Sequence, residues 1–259
     1  MENFKAHASQ DDKQSDQHFV MTQSYMRLYE ILKTLKEDKG RIIHILGAPG
    51  AGKSTNIYHA ADELDLNVYN LKINISARDA GSGEVFRTMF KNLEEDLKLK
   101  SKAEVYNRLG DFNLVLIADA FHDSHNHDPE AVGFSQWTDE ASFKAWIKVL
   151  PFYLLCLQEY FKHRKDFKKI NLVFQTSWRV YIGGKKYDLF SDLGILSRTL
   201  VFFLQRIFTV TEISYSQNET IEIVKNHIPQ ADDKIILKYI KKYGYKPRFI
   251  CDILEKGNL

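Results

Sequence analysis

Gly47-Ala48-Pro49-Gly50-Ala51-Gly52-Lys53-Ser54-Thr55 is the stretch on which the reading of this chain turns. It satisfies the pattern G-x-x-x-x-G-K-[ST] at every fixed position. Its flanks suit the pattern. Ahead of it, Arg41-Ile42-Ile43-His44-Ile45-Leu46 is a short apolar run rich in β-branched residues; behind it, Thr55 to Leu64 reads as a helix. Strand, glycine-rich turn and helix start follow in the order the motif needs. Glycines let the main chain curl so that successive N–H groups point inward at a phosphate. The helix that follows adds the positive end of its dipole. Lys53 is then placed to reach β- and γ-phosphates, and the Ser54 hydroxyl to ligate magnesium. Gly47, Ala48, Pro49, Gly50, Ala51, Gly52, Lys53, Ser54 and Thr55 are thus the expected binding set for a nucleoside triphosphate, with Mg2+ as its companion.

The bulk composition bounds the rest. A chain of 259 residues that is 44% hydrophobic has ample material for a core, as one large domain or one domain with a small appendage. A net charge of +2 makes no electrostatic case for nucleic acid. The locally basic run 161–169 reads as a solvated helix end. Cys156 and Cys251 fall in apolar helical patterns and read as buried thiols, which suits a reducing compartment. Met1 to Gln17 is polar and charged, with no apolar signal region. Val149 to Leu157 is the nearest approach to a membrane span and is too short. The expectation is a cytoplasmic protein with no membrane partner.

Working along the chain, residues 22–37 read as a helix with Tyr25, Leu28, Tyr29, Leu32 and Leu35 on one face, ended by Gly40. Strands are expected at 41–46, 66–73, 114–118, 171–176 and 207–213. Helices are expected at 84–99, from Thr138 to about Arg164 with a kink at Pro151, and at 193–204. Residues 122–136 and 179–191 read as loops. Strands alternating with helices argue for an α/β domain with a mainly parallel sheet. After residue 213 only helix signals remain. Ser216-Gln217-Asn218-Glu219 is a capping box, Asp232 to Tyr243 is closed by Gly244, and Pro247 suits a first helical turn. The expected organisation is a polar arm at 1–21, an α/β nucleotide-binding domain at 22–213 and a helical subdomain at 214–259.

Asp119 ends the buried run 114–118, where a carboxylate can accept from magnesium-bound water, and so resembles a Walker B element. The next residue is Ala120, where many ATPases place a glutamate that polarises the attacking water. Asp123, His122 and Glu130 are the nearby substitutes, and Asp123 is preferred. His122, Asp123, His125, His127 and Asp128 crowd together, but without a defined ligand geometry they read as a polar loop rather than a metal site. Gly244-Tyr245-Lys246-Pro247-Arg248 looks like the G-x-P-R sensor-2 motif of AAA+ ATPases, with one extra residue between Gly and Pro.

In this order, the motifs over residues 22–256 resemble an AAA+ or closely related STAND-type P-loop ATPase of the small archaeal-like sort. The resemblance implies a three-layer P-loop NTPase domain capped by a helical lid. It implies that Arg248 reaches over the γ-phosphate, and that Gln175, Thr176 or Ser177, with Thr176 preferred, fills the sensor-1 position. It also implies an arginine before the last strand that completes a neighbouring subunit's site; Arg206 is preferred over Arg198. Lys53, Asp119, Asp123 and Arg206 are the expected catalytic set, and Ser54 and Asp119 the expected metal set. The chain ends at Leu259, so a DNA-reading winged-helix domain is not expected, and nucleic acid enters only indirectly. The absence of an Asn-Lys-x-Asp guanine motif favours ATP.

Three readings compete. The first is an ATPase that remodels or assembles a protein partner, or associates with itself. The second is an ATP-dependent switch that hydrolyses little, favoured by Ala120. The third is a P-loop small-molecule kinase, against which stand the helical C-terminus and Arg248.

Overall fold

The computed structural model describes residues 19–48, 50–71, 80–111, 114–118, 143–176, 179–182 and 185–256. Helix α1 spans Gln23–Lys33 and is capped by the Thr22 hydroxyl, which accepts from the Tyr25 N–H at 3.2 Å. A 3-10 turn over Thr34–Lys36 prolongs it. Tyr25, Leu28, Leu32 and Leu35 are buried as their spacing requires, while Tyr29 is only half-buried. Strand β1, Ile42–Leu46, leads through the glycine-rich loop into α2, Lys53–Glu63.

Strand β2 is Val68–Asn70, followed by helix α3 over Ser82–Asp96. Helix α4, Lys102–Asp111, has no counterpart in the sequence reading. Val105, Tyr106 and Leu109 are its buried hydrophobic residues among those described, too short a pattern to stand out from the surrounding charges. Strand β3, Val115–Ala118, is buried at every position, as an apolar run covered on both faces should be. Helix α5, Phe143–Lys162, continues through Pro151, stops at His163, and is followed by the short α6, Arg164–Phe167. The Thr138 start expected for this helix lies outside the described residues. Strand β4 is Asn171–Thr176.

The loop expected over 179–191 is corrected in part. Strand β5, Arg179–Ile182, pairs antiparallel with β6, Lys185–Asp188, in the register Arg179↔Asp188 to Ile182↔Lys185. A two-residue Gly-Gly link between strand formers such as Val180, Tyr181 and Tyr187 is a hairpin signal that outweighs the loop reading. Helix α7, Ile195–Gln205, then leads into β7, Thr209–Glu212.

The main sheet has five strands in the order β2-β3-β4-β1-β7, with parallel pairings, and the hairpin forms a second, two-stranded sheet. Parallel neighbours require crossover connections, which the intervening helices supply. The α/β reading with a mainly parallel sheet therefore holds.

Of the described residues, 37–42 and 67–174 form one compact unit, and 19–36, 43–66 and 175–256 another. The first has its core among Val85, Phe86, Met89 and Leu93 of α3, Val105, Tyr106 and Leu109 of α4, Leu116 of β3 and Phe152 of α5. In the second, three helices follow β7: α8 over Gln217–His227, α9 over Asp233–Tyr243 and α10 over Pro247–Lys256. The Ser216–Glu219 capping box is formed, Asp232 caps α9, and Gly244 ends it. Val224, Ile228, Ile236, Ile240, Ile250 and Leu254 give these helices a cluster of their own. Cys251 is buried, as expected; Cys156 is only half-buried, which corrects its reading as a buried thiol. Among the described residues, no helix is long and apolar enough to cross a membrane.

Candidate functional site

The glycine-rich loop leaves β1 through backbone conformations that side chains resist. Gly47 has φ 151°, and a Cβ there would come within 2.7 Å of the Ile213 carbonyl oxygen. Gly50 has φ 80°, and a Cβ there would meet the Phe249 ring at 2.6 Å. Helix α2 then starts at Lys53 behind Gly52, a glycine with no side chain to cap it. Its first N–H groups are the kind of donors a helix terminus offers to an anion. Lys53 is 4% exposed, and its ammonium turns back to donate to the carbonyls of Gly47 at 2.7 Å and Ala48 at 3.1 Å. Ser54 and Thr55, on the first turn, are half-buried.

The end of β4 supplies the next groups. Successive strand residues face opposite ways, and the two polar residues here divide accordingly. Gln175 Oε1 accepts from the Ser54 hydroxyl at 2.9 Å. Thr176 Oγ1 instead shares a hydrogen bond with His44 Nδ1 at 3.0 Å. Burial pushes the His44 pKa down to about 4, so its imidazole is neutral at pH 7. Of the two described residues expected at the sensor-1 position, Gln175 is the one joined to the loop's helix.

Three residues absent from the sequence reading shape the loop. Tyr215, after β7, donates to the Ala51 carbonyl at 2.7 Å and accepts from Asn56 Nδ2 at 3.1 Å. Burial raises the Tyr215 pKa to about 12, which keeps the hydroxyl a donor. Asn56 Nδ2 also donates to the Gly52 carbonyl at 2.7 Å. Phe249, on α10, sets its ring against Gly50. The Arg248 main-chain N–H meets the Gly50 carbonyl at 3.4 Å, while the Arg248 residue is exposed. Helix α10 thus touches the loop through backbone and ring.

A fourth such residue is Asp188, at the end of β6. It is 2% exposed. Its Oδ1 accepts from the Phe190 N–H at 3.0 Å and the Ser191 hydroxyl at 3.1 Å, whereas Oδ2 has no hydrogen-bond partner among the described residues. Burial lifts its pKa above the ordinary carboxylate value; those two hydrogen bonds and the positive charge of Lys53 act the other way and do not cancel it.

The remaining expected residues are spread more widely. Pro49, Asp119, Ala120, His122, Asp123, the other residues of the histidine-rich run, Glu130 and Ser177 lie outside the described residues. Arg198 is exposed on α7. Arg206 is exposed at the end of α7, its guanidinium 4.8 Å from the centre of the Phe202 ring. Among the described residues, no three His, Cys, Asp or Glu side chains come together as a metal site. Magnesium needs less from a protein: one or two oxygen ligands, with phosphate and water filling the rest. The Ser54 hydroxyl on the first turn of α2, behind a loop whose glycines leave room a Cβ would fill, fits that demand. No protein-family model matches this chain, and no curated protein matches it.

Proposed function

We propose that this chain is a magnesium-dependent ATP-binding protein, an ATPase of AAA+ type that couples its nucleotide state to the remodelling or assembly of a protein partner. The observation that carries the reading is the junction of β1, the Gly47–Gly52 loop and α2. A buried lysine, a helix that starts behind Gly52 and a first-turn hydroxyl stand together there, and a Cβ at Gly47 or Gly50 would clash with Ile213 or Phe249. Lys53 would exchange the Gly47 and Ala48 carbonyls for phosphate oxygens, and Ser54 would turn its hydroxyl from Gln175 to the metal. Magnesium, when bound, neutralises charge on the β- and γ-oxygens. Asp119 follows β3 directly and would hold the metal's water. The sheet order supports a three-layer P-loop domain, because it sets β4 with Gln175 beside β1.

The lid reading rests on α10, whose Arg248 N–H and Phe249 ring already meet Gly50. A change of contact at Gly50 on nucleotide binding would shift the helical cluster between two states, and a partner that distinguishes them would be remodelled. Self-association is supported by the surroundings of Arg206. Phe202, Phe203 and Ile207 are 50%, 60% and 74% exposed beside it. A second reading, a switch that binds ATP and hydrolyses little, is favoured by Ala120 where a water-polarising glutamate would stand.

The test is a calorimetric titration of the protein with ATP, with and without magnesium, alongside Lys53→Ala. Binding that needs Lys53 supports the proposal; equal binding by the variant removes it. Turnover over a wide protein concentration range then separates the readings. Turnover that climbs with concentration favours a site shared between subunits. Tight binding without turnover favours the switch.

A further inference from the structure

We propose that the outer face of α5 is a docking site for one acidic amphipathic helix of a protein partner. The proposal stands apart from the nucleotide reading, because α5 lies in the unit of residues 67–174 and its test needs no nucleotide. Leu150, Leu154, Leu157 and Phe161 are 50–62% exposed. Their spacing of 4, 3 and 4 residues is that of one row along a helix. In the sequence the same spacing runs back through Ile147 to Phe143, the first residue of α5. Apolar residues scattered singly over a surface are ordinary, whereas a contiguous row of them marks an interaction site.

The rotation of α5 is fixed from its other side. Phe152 is fully buried, its ring centre 6.4 Å from that of Phe86 on α3. Glu159 is held by the Tyr106 hydroxyl and the Lys102 ammonium of α4. At about 100° per residue, each of the four exposed residues stands about 140–180° around the axis from both anchors. Turning the row inward would withdraw Phe152 from the core and break the Glu159 ion pair. The row is therefore left for another molecule to cover.

Charge selects the occupant. Helix α5 carries Lys144, Lys148 and Lys162, and its one acid, Glu159, is buried. Lys162, Arg164 and Lys165, which follow Phe161, are exposed and make no ion pair among the described residues. A second copy of α5, laid along the first in either direction, would bring basic residues beside basic residues. A row one side chain wide is the seam of a helix pair, whereas a helix lying in a bilayer surface presents a broad apolar face. An incoming helix with apolar residues at the same spacing and acids beside them satisfies both the row and its cations.

The test is fluorescence anisotropy of the full chain, without nucleotide, against a labelled helical peptide of about three heptads, with leucine at a and d and glutamate at e and g. Binding should saturate at micromolar protein, and a twin peptide with lysine at e and g should bind at least about 30-fold more weakly. Leu154→Gln with Leu157→Gln should weaken the glutamate peptide at least about 20-fold. The thermal midpoint should hold, because both side chains are half exposed or more. If that pair does not melt cooperatively, Phe161→Gln takes its place. Lys162→Glu with Lys165→Glu should weaken the glutamate peptide and strengthen the lysine one, about fivefold each way. No saturable binding, equal affinity for the two peptides, or equal affinity in wild type and the leucine variant overturns the proposal. So does a dimer in sedimentation that the leucine variant dissolves, which gives the row to a second copy. Binding to phosphatidylserine and phosphatidylcholine vesicles that needs both leucines, with no binding of the glutamate peptide, overturns it in favour of a membrane. Failure of the peptide leaves the nucleotide reading standing, and failure of ATP to bind leaves the docking face standing.

Discussion

Glu159 and Asp188 are both buried carboxylates, at 8% and 2% exposure, and they behave in opposite ways. Glu159, on α5, gathers partners onto Oε1. The Tyr106 hydroxyl donates at 2.5 Å, the Lys102 ammonium lies at 2.8 Å and the His163 ring at 3.5 Å. Those partners are themselves braced: Lys102 sits over the Phe90 ring at 4.1 Å, and His163 stacks on Tyr106 at 4.1 Å. Burial raises the Glu159 pKa, but the Lys102 and Tyr106 hydrogen bonds overcome it and hold the carboxyl below its usual value. At Asp188 burial prevails over the Ser191 and Phe190 hydrogen bonds, and Oδ2 has no partner among the described residues. The contrast separates an acid that ties helices together from an acid with capacity to spare. The same contrast holds for the lysines. Lys102 is committed to a carboxylate, while Lys53 is bonded to two main-chain carbonyls of the loop it would share with a phosphate.

The largest expected effect breaks the comparison at its ligand side. Lys53→Ala should weaken ATP binding at least about 100-fold, equivalent to about 2.7 kcal/mol, while cooperative thermal melting persists. Glu159→Gln should do the reverse. Loss of charge-assisted hydrogen bonds there costs about 2–3 kcal/mol in urea unfolding at pH 7, with ATP affinity unchanged. The sign of its pH dependence follows from a lowered folded-state pKa. The stabilisation is present above the unfolded carboxylate value of about 4.3 and is lost as pH falls through the folded one. Wild type and Glu159→Gln should therefore converge in acid. If Glu159→Gln weakens ATP binding as much as Lys53→Ala does, the division between structural and ligand-facing centres is wrong.

The two centres also differ in how far the sequence discloses them. The β1–loop–α2 unit is local, so its glycines, lysine and flanking periodicities can be read in one window. The capping box at Ser216, the Asp232 cap and the Gly244 stop are local in the same sense. Tyr215 meets Ala51 across 164 positions of chain, and Phe249 reaches Gly50 from a different helix, so no window contains either pair. Choosing Gln175 over Thr176 needs the facing direction of β4, which a strand with an unbroken apolar centre, Leu172 to Phe174, and two adjacent polar residues at its end does not disclose. Asp188 was concealed for another reason. Reading 179–191 as a loop made it one more surface acid, although Gly183-Gly184 between strand formers announces the hairpin that buries it.

A smaller effect sharpens the loop's side of the comparison. Tyr215→Phe removes the donor to the Ala51 carbonyl and one acceptor for Asn56. A buried carbonyl left without that donor should cost about 1–2 kcal/mol in chemical unfolding. ATP affinity should drop by only a few-fold, since Asn56 Nδ2 keeps its bond to the Gly52 carbonyl. A loss of binding as deep as that of Lys53→Ala would make Tyr215 part of the binding set rather than a brace behind it.

The smallest effect carries the opposite sign. Asp188→Asn removes a buried charge while keeping the Oδ1 acceptor, so it should leave stability unchanged or raise it by up to about 1 kcal/mol at pH 7. The folded-state pKa of Asp188 is raised, so its protonated form favours the fold. That contribution is full below the unfolded value of about 3.9 and is lost as pH rises through the folded one. The gap between Asp188→Asn and wild type should thus open with rising pH, whereas the gap for Glu159→Gln closes with falling pH. Unfolding curves across the carboxylate range measure both. A destabilised Asp188→Asn whose deficit grows with pH would mean that Oδ2 is partnered in solution. Asp188 would then join Glu159 as an acid that serves the fold, and the division of labour between the two centres would rest on Lys53 alone.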